Sequence, residues 1–534
     1  MPPLITIRKL KKITKARPDA ATNHASEQPS DDSLGNFTFD TLHQEVMTAF
    51  GASVDFRAVE SMIARKEAYF YYLETMVNLK ILTETTARLL TIHVDNEKNV
   101  NSIEALSPLI KESFGGESFQ LLDSQEKVFW AILNGGIVIA VKGIDKAISI
   151  NMMTDEKRAV TEPSTQTVVR GPKDGFIESL ATNVSLIRRR IRNPKLQFEE
   201  FIVGKDTSTS VYMGFIHGIA NQAIVDEVRN RLKKIHVSAV FESGNIEELI
   251  VDKTFTFFPL ALNAERPDTV AANLMEGKIV ILIDGTPFCL LVPAVFVNFF
   301  EISEDYYQPF LLGSFIRFIR YLSFMIALLT PSIYVGILTF HQELLPTNFL
   351  LSVIAQREGV PFPAVVEVFL MEIAFEILRE AGVRMPKTVG QMVSIVGALV
   401  IGQAAAEAGI ISNIMIIVVS ITAIANFVSP TYSFAASSRL LRFIFIISAS
   451  ILGLYGVLLV LIFMVAHLSS LRSFGVPYLA PIAPFIVEDQ KDVFMRSPFW
   501  AMKKRPKYLR TENELKVFSD ASPTPPPSKG GHNR

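Results

Sequence analysis

The stretch FPAVVEVFLMEIAFEI, residues 362–377, places Glu367, Glu372 and Glu376 in an apolar run, with Arg379 one turn further on. Carboxylates are costly against lipid, so such groups pair, face water or mark an ion pathway. Lining a pathway, they attract cations and repel anions. At about 100° per residue, Glu372 and Glu376 lie roughly 40° apart with Arg379 beside them, while Glu367 falls about 180° from Glu376. The spacing predicts a Glu372–Glu376–Arg379 group on one face and a lone Glu367 on the other. Gln403 and Glu407 share a helix face at i, i+4 within a Gly/Ala-rich run. A fourth group, Arg188, Arg189, Arg190 and Arg192, ends a helical pattern and suits acidic partners or lipid phosphates, which arginine binds in bidentate fashion. The plainer alternatives are structural ion pairs, an interhelical hydrogen bond and a capped, solvated helix end.

Chemistry of other kinds finds no support. Cys289 is the only cysteine, and the eight histidines form no pair at i, i+3 or i+4. Residues 1–285 hold no P-loop, GxGxxG, nucleophile elbow or metal-ligand cluster. An enzyme is therefore not expected, nor a cofactor or metal. The net charge of −1 over 534 residues gives no sign of a nucleic-acid partner.

The elements that carry these residues fall into two halves. The predicted fold class is an α/β cytoplasmic N-terminal domain, in two subdomains, followed by an α-helical multi-pass membrane domain. Residues 1–36 read as a disordered basic tail and 37–165 as subdomain 1. There, FRAVESMIARKEAYFYYLETMVNLKIL has helical spacing, whereas KVFWAIL, GIVIAV and KAISINM resemble strands. Residues 166–300 read as α/β subdomain 2. It has strands FEEFIVG and SVYMGFI around KDTST, a helix near 221–235, a strand at HVSAVFES, and a hairpin turning at Asp284-Gly285.

Residues 310–485 hold four runs near the ~20 apolar residues that a span requires: 321–340, 391–410, 413–429 and 443–468. The Glu-bearing helix, 363–381, lies among them, bounded by Pro363 and Gly382 and about 28 Å long. The tail 486–534 is basic and reads as largely disordered. Four spans put both basic termini in the cytoplasm. They also strand Arg439 and Arg442 on the opposite side, which leaves six spans or a re-entrant segment open.

Several segments are recognisable. SLIRRRIRNPKL, ERPDTVAANLMEGKIVILIDGTPF, REGVPFPAVVEVFLMEIAFEILREAGVRMP and SFGVPYLAPIAP resemble, in order, the A subunit of the GerA-type spore germination receptors. The likeness covers about residues 175–485. It implies a protein of the spore inner membrane that works with a transporter-like B subunit and a lipoprotein C subunit. It also implies a homo-oligomer of A subunits in the membrane lipid that forms a nutrient-gated cation channel. On that footing Gln403 and Glu407 lie along the path, Glu372 and Glu376 form an acidic vestibule or gate with Arg379, and Glu367 belongs to the same candidate set. A secondary transporter and a non-conducting scaffold are the competing functions. The first predicts inverted repeats, and no repeat is visible in the sequence.

Overall fold

The computed structural model describes residues 37–63, 66–84, 119–153, 162–163, 165–384 and 402–516. The basic segment 1–36, most of the 391–410 run and the last residues, 517–534, lie outside them. The described chain has an α/β body and a helical bundle, as expected.

The body holds two five-stranded antiparallel sheets. The first follows helix α1 (Phe39–Phe50). It contains β1 (Phe56–Ile63), β2 (Lys66–Leu73), β3 (Phe119–Leu122), β4 (Gly136–Val141) and β5 (Ala147–Asn151), in the order β1-β2-β4-β5-β3. Helix α2 (Gln125–Leu133) links β3 to β4. The second sheet follows α3 (Leu180–Arg190). It contains β6 (Leu196–Val203), β7 (Thr209–Ile216), β8 (Leu262–Ala264), β9 (Ile279–Ile283) and β10 (Cys289–Val292), in the order β6-β7-β9-β10-β8. Helices α4 (Gln222–Lys233) and α5 (Ser243–Ile250) precede β8, and α6 (Pro267–Met275) links β8 to β9.

The two subdomains thus share one strand order, each with a helix before its first strand and another between its third and fourth. Their turns match too. Gly135 (φ 77°) and Gly277 (φ 98°) follow α2 and α6, while Gly143 (φ 82°) and Gly285 (φ 88°) turn the hairpins β4–β5 and β9–β10. All four need the left-handed region that glycine enters without strain. This repeat is topological and left no readable mark in the residues.

Three local expectations fail. Residues 56–73 form a hairpin, not a helix, in full register from Phe56↔Leu73 to Ile63↔Lys66. The aromatic run of KEAYFYYL suits a pleated, half-buried surface, and His43 of α1 stacks on Tyr69 at 4.1 Å. KVFWAIL is helical, because Ser124 caps the N-terminus of α2. HVSAVFES forms no strand; it runs beside β7, where Thr209 Oγ1 donates to the Val240 carbonyl at 2.8 Å.

The bundle contains α7 (Phe310–Phe340), α8 (Thr347–Arg357), α9 (Ala364–Arg384), α10 (Asn413–Phe427) and α11 (Tyr432–Ser470). Helix α7 starts earlier than the predicted 321–340 and runs through Pro331. Helix α9 passes through Gly382 to Arg384, beyond the predicted end. Among the described residues, α7 and α11 are long and apolar enough to cross a membrane; α10 is shorter.

Helix α11 is not straight. Gly453 (φ 61°, ψ −146°) folds it into two arms, residues 432–452 and 454–470. Ser437 on the first arm donates to the Phe257 carbonyl, and His467 on the second meets Thr256. Both arms therefore return to one loop of the body. A Cβ on Gly453 would meet His341 Cε1 at 2.7 Å, so the turn packs against the far end of α7.

Body and bundle share one core. It runs from Leu196, Val280 and Leu291 of the second sheet into Phe324, Val419 and Phe445 of the bundle. At the junction Arg317 and Arg320 of α7 both pair with Asp305, at 3.1 and 2.6 Å. The following segment folds back as well. Asp492 accepts from Arg317 at 2.7 Å, and Arg496 donates to the Asp305 carbonyl at 2.7 Å. Residues 486–516 are accordingly packed on the body rather than forming a disordered tail.

Candidate functional site

Helix α9 carries the three predicted carboxylates into the bundle. Its exposed side is an apolar stripe, Val366, Leu370, Ile373 and Ile377, at helical spacing. Glu367 and Glu372 are buried and Glu376 is half-buried against the bundle, the inverse of a helix on a water-soluble protein, while Glu380 and Arg384 at the end of the helix are exposed. The helix is enclosed on its polar side, in line with the spacing argument.

Each carboxylate has its own partner. Glu367 is fully buried and accepts from the backbone N–H and hydroxyl of Ser412, both at 3.1 Å, and from Arg357 at 2.9 Å. It thereby ties α8 and α9 to Ser412, the residue that precedes the first turn of α10, where negative charge favours the helix dipole. Glu367 is opposite the other two, as predicted, but it is not alone. Glu372 pairs with Arg442 of α11 at 2.5 Å, and Arg442 also donates to the Ala327 carbonyl of α7 at 2.7 Å. Glu376 pairs with Arg439 at 3.0 Å.

Arg379 does not join these acids. It lies over the ring of Phe427, 4.9 Å from the centroid, because α11 presents two cations at the spacing of the two carboxylates. The predicted Glu372–Glu376–Arg379 group is therefore replaced by a two-rung ladder between α9 and α11. One rung leaves valences open: Glu372 Oε1 and Arg442 Nη2 are buried without a hydrogen-bond partner among the described residues. Arg439 and Arg442, which the predicted set omitted, were readable as two uncompensated cations opening an apolar run.

Gln403 and Glu407 behave differently. Gln403 donates to Glu407 at 2.9 Å, and both side chains are exposed. The inner side of their segment is small, with Gly402 buried and Ala405 and Ala406 packed on the core. The pair points away from the bundle.

The arginine cluster at the end of α3 turns inward. Arg188 is 1% exposed and donates to Asp55 at 2.8 and 2.9 Å and to Ser53 at 2.8 Å. Arg190 forms a bidentate pair with Asp174 at 2.6 and 2.7 Å. Arg192 lies over Trp130 at 5.5 Å, and Arg189 lines a cleft of about 480 Å³ between the subdomains. Arg188 and Arg192 thus join subdomain 2 to subdomain 1. The predicted contact with lipid or an outside partner does not match Arg188 or Arg190, whose guanidinium groups are occupied by internal carboxylates. Among the described residues, no group of histidine, cysteine or carboxylate side chains could hold a metal ion.

The chain thus combines an α/β body with an apolar helical bundle braced by internal ion pairs, two of whose helices are long and apolar enough to cross a membrane. The family model for Bacillus/Clostridium GerA spore germination proteins matches residues 44–508, and the chain belongs to that family as an A-type germination receptor subunit. It is 47% identical to spore germination protein KA of Bacillus subtilis over 438 residues, 82% of this chain and 80% of that one. Spore germination protein A1 of the same organism is 41% identical over 398 residues, 74% and 82% of the two chains. The chain is also similar to a crystal structure of the N-terminal domain of the A subunit of the Bacillus megaterium germinant receptor GerK3. That match has 33% identity and a TM-score of 0.39, and covers 50% of this chain and 98% of that one.

Proposed function

We propose that this chain is a multi-pass subunit of a nutrient-responsive spore germination receptor, and that copies of it assemble around a cation path to which Gln403 and Glu407 contribute. The observation that carries this reading is the contrast in pairing. Every carboxylate of α9 at the predicted sites is matched by an internal arginine, while Glu407, among the described residues, is held by Gln403 and faces outward. Left against lipid, that pair is costly. Against the same pair in neighbouring copies it would border water and favour cations.

Alternating helices support six passes. Helix α7 leaves the body, α9 returns, α10 returns from the far end again, and the arms of α11 leave and return, so the sequence-predicted span at 391–410 is the outward pass that this order calls for. An even number keeps both termini on the body's side, read as the cytoplasm, and puts Arg439 and Arg442 at the foot of the bundle on that side. The four-span conflict then disappears. The transporter-like B subunit and lipoprotein C subunit are the partners, and the spore inner membrane is the location.

The test is Glu407→Gln in spores, with potassium release measured after nutrient addition. We expect slowed release at normal receptor abundance. Unchanged release would remove Glu407 from the path and favour a scaffold, which the internal ladder of α9 equally suits.

A further inference from the structure

Below the turn at Gly453 the two arms of α11 enclose a slot of about 570 Å³. Its walls are Leu441 and Ile444 on one arm and Val460, Phe463 and Met464 on the other, and residues 254–258 close its foot. The lining divides along its length. Hydrocarbon covers the arms, and the polar groups gather at the foot, where Thr254 and Thr256 stand among three phenylalanines: Thr256 Oγ1 lies 3.0 Å from His467 Nε2 at the end of the second arm, and exposed Lys253 precedes this loop. Phe463 is 71% exposed and Phe255 93% exposed, so the slot opens sideways from the bundle.

We infer that this slot holds one acyl chain of a phospholipid from the leaflet beside the body, with the headgroup over Lys253, Thr256 and His467. An apolar slot with one polar, cationic end matches an amphiphile with its tail inward. The volume falls in the range of roughly 300–1,000 Å³ typical of small-ligand sites. A partner helix is about 10 Å across, so the same volume would take only about one turn of it. The depth in the membrane also fits. Lysine at a membrane interface lays its stem along apolar surface, keeps its charge in water and attracts anionic headgroups, as Lys253 can beside Phe255 and Phe257. A lipid held here would wedge the two arms and tie them to the body through the 254–258 loop.

The inference rests on the membrane placement proposed above. The test is native mass spectrometry of the full chain purified in mild detergent, with palmitoyl-oleoyl phosphatidylglycerol as the added probe. One phospholipid per chain should survive purification. Val460→Trp and Leu441→Trp fill the slot and should lower retention about tenfold, while Ile451→Trp, outside the slot, should not. If the tryptophan variants misfold, Val460→Phe should show an intermediate loss. Equal retention in the filled and parent chains would overturn the inference. So would a retained free fatty acid, or a cross-link from position 463 to a second copy, since either names another occupant. A chain that resists carbonate washing of membranes but holds no lipid overturns only this inference; a chain released by carbonate overturns the membrane placement as well.

Discussion

The polar residues of the helical bundle divide into two groups that face opposite ways. The three predicted acids of α9 face the bundle, and each meets a cation from another element: Glu367 with Arg357, Glu372 with Arg442, Glu376 with Arg439. The polar residues of the 402–407 segment point outward and, among the described residues, meet each other. Carboxylates neutralised by arginine hold helices in register but offer little field to a passing ion. An outward pair in an apolar surface does nothing for its own fold and calls for a wet neighbour. Position in an apolar run does not distinguish the two; the partner does.

The largest expected effect comes from breaking the inward group. Glu372→Ala leaves Arg442 buried and unpaired, and losing one partner of a buried pair costs on the order of 3–5 kcal/mol. The variant should be nearly absent from membranes by immunoblot. Glu372→Leu combined with Arg442→Leu should recover much of the protein, because replacing both partners removes the stranded charge. Abundant, assembled Glu372→Ala with altered ion release would instead make Glu372 part of the path and erase the contrast.

A smaller loss should follow from Gly453→Ala. The position has φ of 61° and ψ of −146°, outside the regions that other residues enter freely, and a Cβ there would press on His341 and Phe340. Backbone strain of this kind costs about 1–3 kcal/mol. The fluorescence melting temperature of the purified chain should fall while the parent's ion selectivity is kept. An unchanged melting temperature would mean that the α11 turn is not fixed by this contact.

A third carboxylate, in the body, sits between the two extremes. Burial, helped by the neighbouring Asp492 and Glu276 and opposed by Arg317 and Lys278, pushes Glu301 up to about 7. Its folded value lies above the unfolded one, about 4.3. Its stabilising contribution is therefore complete below that lower value and lost as pH rises through about 7. Glu301→Gln keeps the shape without the charge. Parent and variant should melt alike near the acid end of this window, and the variant should be the more stable above it. Parallel melting curves across the window would show that Glu301 is as well neutralised as the acids of α9.

Much of this was legible in residues, and the failures share a cause. The two halves, the β6–β7 and β9–β10 hairpins, the Glu-bearing helix and the opposed face of Glu367 follow from local period and turn chemistry. What local period cannot supply is the partner of a charge. Arg379 is nearer to Glu376 in sequence than Arg439 is, yet the fold brings Arg439 to it across two helices. Arg188 looked like a solvated helix end, yet Asp55, far upstream, turns it into the bolt between subdomains. The α11 turn was hidden because a single glycine inside an apolar run also reads as an ordinary helix residue. The duplicated strand order was hidden because it is carried by topology and turn glycines rather than by repeated side chains.

The smallest effect on stability, and the one that most sharpens the contrast, belongs to the outward pair. Gln403 and Glu407 are exposed and one helical turn apart, and such pairs contribute about 0.2–0.5 kcal/mol. Glu407→Gln should therefore leave thermal unfolding of the purified chain almost unchanged, and Gln403→Ala likewise. A double-mutant cycle on melting should return a coupling within the same ~0.5 kcal/mol. A much larger coupling, or loss of the chain from the membrane, would place the pair in a protein contact that the fold needs. Glu407 would then join Glu372 and Glu376 among the braces, and the bundle would have no outward-facing acid left, among the described residues at these sites, to serve ions.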